Sequence, residues 1–169
     1  MIHIKDLTVE NLPGDLMKRA AVTGHTQRLG KAFYQALEQR GYQVIGFSQS
    51  TGHDIRDFSV VSKIIELTQG FDLFVNSAKP DFAQTQILYR LARSQSIRTV
   101  LSIGSAAVIN PPPWTDTHLL EYLTQKIALD HAHRVLSCTD RTRLILVHPR
   151  HLDDDCLPYV REVLDSFNL

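Results

Sequence analysis

The sequence predicts an α/β fold, a doubly wound parallel sheet in a single compact domain. Three observations carry that expectation. Short apolar runs of strand length alternate with stretches whose apolar residues recur at helical spacing, an order that implies parallel strands covered by helices on both faces. A turn from Gly24 to Gly30 joins the first such run to the first such helix. Gly24, Ser48, Asn76, Ser105 and Pro149 fall where successive strands should end, and in sheets of this kind ligands bind at the carboxyl ends of the strands.

Residues 1–18 read as an N-terminal extension, a short flap or extra edge strand, before a domain spanning 19–169. The first strand is Ala20-Ala21-Val22-Thr23. After the turn, Leu29, Ala32, Phe33, Ala36 and Leu37 form one helix face, and Gly41 ends that helix. Val44, Ile45 and Phe47 lie on a second strand ending at Ser48. Val60, Val61, Ile64, Ile65 and Leu67 mark a helix opened by Asp57 or Ser59 as N-cap. Strands follow at 71–75, 99–103 and 143–147, with helices at 82–93, from about Thr117 to Ser137, and from Leu157 to Phe167. Residues 106–118 form a loop holding Pro111-Pro112-Pro113-Trp114.

With 169 residues the chain is one domain by length and long enough to bury a proper core. Eighteen Lys and Arg balance eighteen Asp and Glu, so no polyanion-binding surface is indicated and a nucleic-acid partner is disfavoured. Cys138 and Cys156 have neither disulfide-framework nor zinc spacing, which fits a reduced cytoplasm. No apolar run approaches membrane-spanning length, and the N-terminus does not read as a signal peptide. His131, His133, His148, His151 and Asp153 to Asp155 match no standard metal-ligand spacing, so no metal is expected.

Strand, glycine turn, helix and strand make the first half of a dinucleotide-binding unit. A helix N-terminus leaves N–H groups unpaired and carries partial positive charge, and glycine lets a phosphate approach it. Farther on, Tyr122 and Lys126 stand one turn apart on one helix face. An ammonium beside a phenol stabilises its phenolate, so such a tyrosine can exchange a proton with a carbonyl or alcohol near neutral pH. Ser105, at the end of the preceding strand, can hydrogen-bond and orient the same oxygen.

This ordered set resembles the short-chain dehydrogenase/reductase (SDR) family over about Lys18 to Asp155. Thr23-Gly24 to Gly30 resembles the family's glycine motif, Asp54-Ile55 its adenine-contacting pair, and Asn76-Ser77-Ala78 the motif closing the central strand. Ser105, Tyr122 and Lys126 match its catalytic trio, and His148-Pro149 stands at its Pro-Gly. Within the family the chain is most similar in feel to compact members with a Thr-Gly-His-Thr opening and a Gly-Phe-Ser second strand, of a kind encoded by phages and environmental bacteria. The resemblance implies a Rossmann-like fold, a small-molecule substrate, and a nicotinamide cofactor. The cofactor would lie along Gly24, His25, Gln27, Arg28, Leu29, Gly30, Ser48, Asp54, Ile55, Asn76, Ser77, Ala78 and Pro149, and also touch Tyr122 and Lys126. Ser48 stands where an acid would hold a free ribose 2′-hydroxyl, and with Arg28 nearby this favours NADP over NAD.

The chain departs from the pattern at several points. Arg28, Lys79 and Arg150 stand where the family has glycine, Ser105 and Tyr122 are seventeen residues apart, and no residue matches the catalytic asparagine. Two readings follow. One is an NAD(P)-dependent oxidoreductase interconverting a carbonyl and an alcohol, with Tyr122 as acid/base, Lys126 as its tuner and Ser105 orienting the substrate. The other is a non-catalytic, SDR-derived nucleotide sensor or interaction protein. The helices at 82–93 and 117–137 are the expected surfaces for a homodimer or homotetramer.

Overall fold

The computed structural model describes residues 17–113, 116–138, 142–150 and 155–169. Its elements alternate strictly: β1 (Arg19–Thr23), α1 (Arg28–Gln39), β2 (Gln43–Phe47), α2 (Phe58–Leu67), β3 (Leu73–Asn76), α3 (Ala83–Ser94), β4 (Thr99–Ile103), α4 (Thr117–Leu136), β5 (Arg143–Val147) and α5 (Leu157–Ser166). Single 3-10 turns occupy Gln49–Thr51 and Ala106–Val108. The strands form one parallel sheet in the order β2-β1-β3-β4-β5. The sequence-predicted doubly wound α/β fold is the observed one.

Strand periodicity explains the two-sided core. Ala20 and Val22 of β1 face the layer of α1 and α5, packing with Phe33, Leu37, Val160 and Leu164. Ala21, between them, faces the other layer with Phe74, Val100, Ile64, Leu88 and Leu129. The central strands β3 and β4 are buried throughout, which is why they read as continuous apolar runs. β3 begins at Leu73, later than its apolar run suggests, and extends to Asn76 because Asn76 pairs with Ser102 of β4.

Local signals set several element ends. The Asp57 carboxylate accepts the Ser59 N–H at 2.7 Å and caps α2, so Asp57 rather than Ser59 is the N-cap. The Asp116 carboxylate caps α4 by accepting the Leu119 N–H. Residues 1–16, which hold most of the expected N-terminal extension, lie outside the described residues, as do Trp114, His151, Asp153 and Asp154.

The chain order reverses at β1, which lies between β2 and β3, so a crevice opens above the carboxyl ends of β1 and β3. The Thr23 hydroxyl oxygen accepts the N–H groups of Ser77 and Ala78 at 3.0 and 3.1 Å, tying the two strand ends together. The β1–α1 turn beneath this crevice is packed backbone to backbone. A Cβ built on Gly30 would stand 2.1 Å from the Gly24 carbonyl oxygen, whereas one on Gly41 meets nothing within 4 Å. Gly30→Ala is therefore expected to cost about 3 kcal/mol by overpacking against backbone. Gly41→Ala, at φ +79° in open space, should cost only about 1 kcal/mol of backbone strain. Urea denaturation of both variants checks the order, and equal losses would contradict it.

Candidate active site

The crevice opens into a cavity of about 920 Å³ that runs along the carboxyl ends of the strands. One end is built by the β1–α1 turn. Gly24, at φ +72°, donates its N–H to the Phe47 carbonyl at 2.7 Å, and a Cβ there would approach Ala78 Cα to 3.1 Å. Gly24, Gln27, Arg28, Leu29 and Gly30 line the cavity. Gln27, the N-cap of α1, makes no side-chain capping hydrogen bond, and no acid stands in the first turn. A twelve-residue helix thus directs an uncapped N-terminus at the cavity, and an uncapped N-terminus is an anion site. Arg28 opens α1 at φ +41°, left-handed backbone that favours glycine. An arginine here accepts that strain, about 1 kcal/mol.

His25 takes a different place from its neighbours in the motif. Its ring fills the space left by Gly46, where a Cβ would stand 2.3 Å from it, and lies 5.4 Å from the Tyr34 ring. Its Nδ1 is buried without a hydrogen-bond partner. The side chain packs the turn against β2 and does not line the cavity.

Ser48, Asp54 and Ile55 line the cavity beyond the second strand, as expected from the sequence. Gln49, Ser50 and His53 line it too, and local sequence carries no strong signal for them beyond a polar loop. Ser48 Oγ lies 2.9 Å from Ser50 Oγ, so a small hydroxyl cluster stands where the strand ends, with no acid. The Asp54 carboxylate is held below its usual range by hydrogen bonds from the Arg56 side chain, at 2.6 to 3.1 Å.

Ser77 and Ala78 line the cavity beside the Gly24 turn, and Ser105, Tyr122, Lys126 and Pro149 line it as well. Asn76 is buried behind the lining: its Nδ2 donates to the Gln84 carbonyl at 2.8 Å. Ser105 Oγ accepts the Ala107 N–H at 3.3 Å, which leaves its O–H free to donate elsewhere. Two lysines lie near the Tyr122 ring, Lys79 Nζ at 5.3 Å and Lys126 Nζ at 5.7 Å from its centre.

Lys126 is 4% exposed, and its ammonium donates to Gln84 Oε1 at 2.8 Å and to the Ile103 carbonyl at 2.6 Å. The Gln84 amide nitrogen donates in turn to the carbonyls of Asn76 (2.6 Å) and Ile103 (3.0 Å). Gln84, which holds Lys126 in place, is the residue that sequence reasoning missed. Its spacing marks it only as a position on α3, and nothing local announces a buried amide facing a lysine on α4.

Below this clamp, Asp130 accepts from Arg134 at 2.5 Å and pairs with His148 Nε2 at 2.9 Å. Among the described residues, no three His, Cys, Asp or Glu side chains gather as a metal site, and no helix is long and apolar enough to cross a membrane.

Burial, with a smaller effect of Lys79, pushes the Lys126 ammonium down from 10.5 to about 7. The unfolded chain therefore binds more protons than the folded one between those values, and stability rises with pH across that window. Below about 7 both states are protonated and the cost of the buried charge is fully present. Urea midpoints should rise from about pH 7 to about pH 9, and Lys126→Met should flatten the rise. A wild-type profile that Lys126→Met leaves unchanged would contradict the assignment.

No protein-family model matches the chain, and no curated protein matches it. Solved structures do. A small-chain dehydrogenase superposes with a TM-score of 0.72 at 16% identity, over 90% of this chain and 91% of that one. A short-chain dehydrogenase from Burkholderia cenocepacia in complex with NADP gives 0.70 at 16% identity, over 90% and 85%. A short-chain dehydrogenase/reductase from Burkholderia vietnamiensis gives 0.62 at 22% identity, over 89% and 91%. The glycine turn, the parallel sheet and these superpositions agree on one conclusion: the chain has the fold of the short-chain dehydrogenases/reductases.

Proposed function

We propose that the protein is an NAD(P)-dependent oxidoreductase that interconverts a carbonyl and an alcohol on a small molecule. The observation that carries this reading is a single cavity lined at one end by the uncapped N-terminus of α1 and at the other by Ser105, Tyr122 and Lys126. The glycine turn, Ser48 and the Asp54-Ile55 pair fit a dinucleotide laid along the strand ends. The absence of an acid at Ser48, beside the hydroxyls of Ser50 and Thr51, favours the 2′-phosphate of NADP.

When bound, the nicotinamide supplies or accepts a hydride. The chain's own residues handle the proton. Tyr122 gives it to, or takes it from, the substrate oxygen. Ser105, its oxygen already engaged by the Ala107 N–H, donates its O–H to that same oxygen. Lys126 commits two of its three N–H donors to Gln84 and Ile103; the third would serve a ribose hydroxyl, and the nearby charge supports Tyr122.

A second reading, a nucleotide-sensing or interaction protein without catalysis, draws on the same cavity. Arg28, Lys79 and Arg150 line it where the family pattern has glycine. We also infer a cytoplasmic homodimer or homotetramer. Its surface would be the exposed Leu120, Ile127 and Val135 on α4 with Phe82 and Tyr89 near and on α3. Light scattering that returns a monomer mass at micromolar concentration would contradict the association.

The catalytic assignment is tested with NADPH and a panel of small aldehydes and ketones, following the loss of NADPH absorbance. Tyr122→Phe should lower turnover by roughly a hundredfold or more, the usual weight of a general acid, with cofactor binding retained. Turnover unchanged in Tyr122→Phe would exclude the mechanism.

A further inference from the structure

We propose that Lys79 and Arg150 form an anion clamp at the reaction end of the cavity, so that the substrate is a small carbonyl compound carrying a carboxylate or phosphate near its reacting carbon. The proposal rests on the oxidoreductase reading above and names the substrate class for that site.

The charge distribution is the first argument. The chain as a whole has no net charge. The cavity lining, by contrast, holds the cations Arg28, Lys79, Lys126 and Arg150 against one carboxylate, Asp54. Asp54 is engaged by Arg56 through both its oxygens. Positive charge gathered in a low-dielectric cleft draws anions to that cleft.

Position is the second argument. A dinucleotide carries its diphosphate over the α1 N-terminus, beside Arg28. Lys79 and Arg150 line the same cavity from two other loops, those after β3 and β5. Lys79 Nζ lies 5.3 Å from the Tyr122 ring centre and is close enough to Lys126 to disfavour its charge. Arg150 follows Pro149, whose carbonyl accepts the Ala106 N–H at 3.1 Å, so it is strapped to the turn that presents Ser105. The two cations therefore flank the residues that would hold the reacting oxygen.

Chemistry is the third. A guanidinium grips a carboxylate or phosphate through paired N–H donors, and an ammonium adds a point charge. An anion between them would also relieve the repulsion between Lys79 and Lys126, which favours a charged substrate over a neutral one of the same shape. Both side chains are exposed at the cavity mouth, so the preference should weaken as salt is added.

The test uses the full chain loaded with NADPH and compares two matched pairs: acetoacetate with methyl acetoacetate, and dihydroxyacetone phosphate with dihydroxyacetone. Affinity is read from the change in bound-NADPH fluorescence, and turnover from NADPH consumption. In at least one pair the anion should bind roughly tenfold or more tighter than its neutral partner, the weight of one charge-assisted hydrogen bond. Which pair shows it tells a carboxylate site from a phosphate site. Lys79→Gln and Arg150→Gln should each remove most of that preference while the neutral partner's affinity stays put.

Equal affinity within both pairs overturns the clamp and leaves the oxidoreductase reading standing, provided NADPH binds. A preference that survives the Lys79→Gln, Arg150→Gln double variant overturns it as well. If the substitutions weaken NADPH binding instead, the two cations serve the cofactor's diphosphate and the clamp is wrong. Failure of NADPH to bind at all removes the oxidoreductase reading and the clamp with it.

Discussion

The Tyr122 end of the cavity depends on one buried ammonium. Taking the charge of Lys126 out of water costs several kcal/mol unless partners are supplied. The fold supplies the Gln84 amide and the Ile103 carbonyl, at 2.8 and 2.6 Å. Gln84 can do this because its own amide nitrogen is satisfied by the Asn76 and Ile103 carbonyls. One side chain on α3 thus connects β3, β4 and α4 through hydrogen bonds that are all buried. Tyr122, one turn before Lys126 on α4, is placed over the cavity as a consequence. The same burial leaves the ammonium only loosely protonated near neutral pH.

The opposite end is governed by backbone contact rather than by charge. Gly30 is required because its Cα lies against the Gly24 carbonyl, and Gly24 because it turns left-handed beside Ala78. Those demands hold with or without a ligand, so glycines at a strand-helix turn say little about binding by themselves. The ligand argument comes from what the turn leaves open: a helix N-terminus with no side-chain cap and no acid in its first turn, facing a cavity. Arg28 shows how far the pattern can bend, since an arginine takes the left-handed backbone that a glycine would hold more cheaply.

Much of the fold was legible in the sequence because the signals are local. β4 and β5 have the bounds their apolar runs imply, and α4 begins where Asp116 can cap it. The candidate trio could be read from spacing and from the rule that strand ends face the ligand. What escaped reading depends on tertiary register. Gln84 matters because α3 packs against α4 at one particular rotation. Asn76 turns behind the lining to bond the Gln84 carbonyl. His25, inside the glycine motif, packs under Gly46 because a small residue on the neighbouring strand leaves room for a ring. None of these pairings is visible from positions along one segment. A fold shared with enzymes at 12 to 22% identity does not transfer their chemistry, so the function rests on the site itself.

The measurement that tests the central claim most directly is a titration of the purified protein with NADPH and with NADH, followed by nicotinamide fluorescence. The account predicts saturable binding of both with NADPH the tighter, as expected of a diphosphate held at the uncapped helix and a 2′-phosphate held at the hydroxyl-lined strand end. No binding of either at millimolar concentration would contradict it, and would mean that Arg28, Lys79 and Arg150 close the cavity to a nucleotide rather than line it.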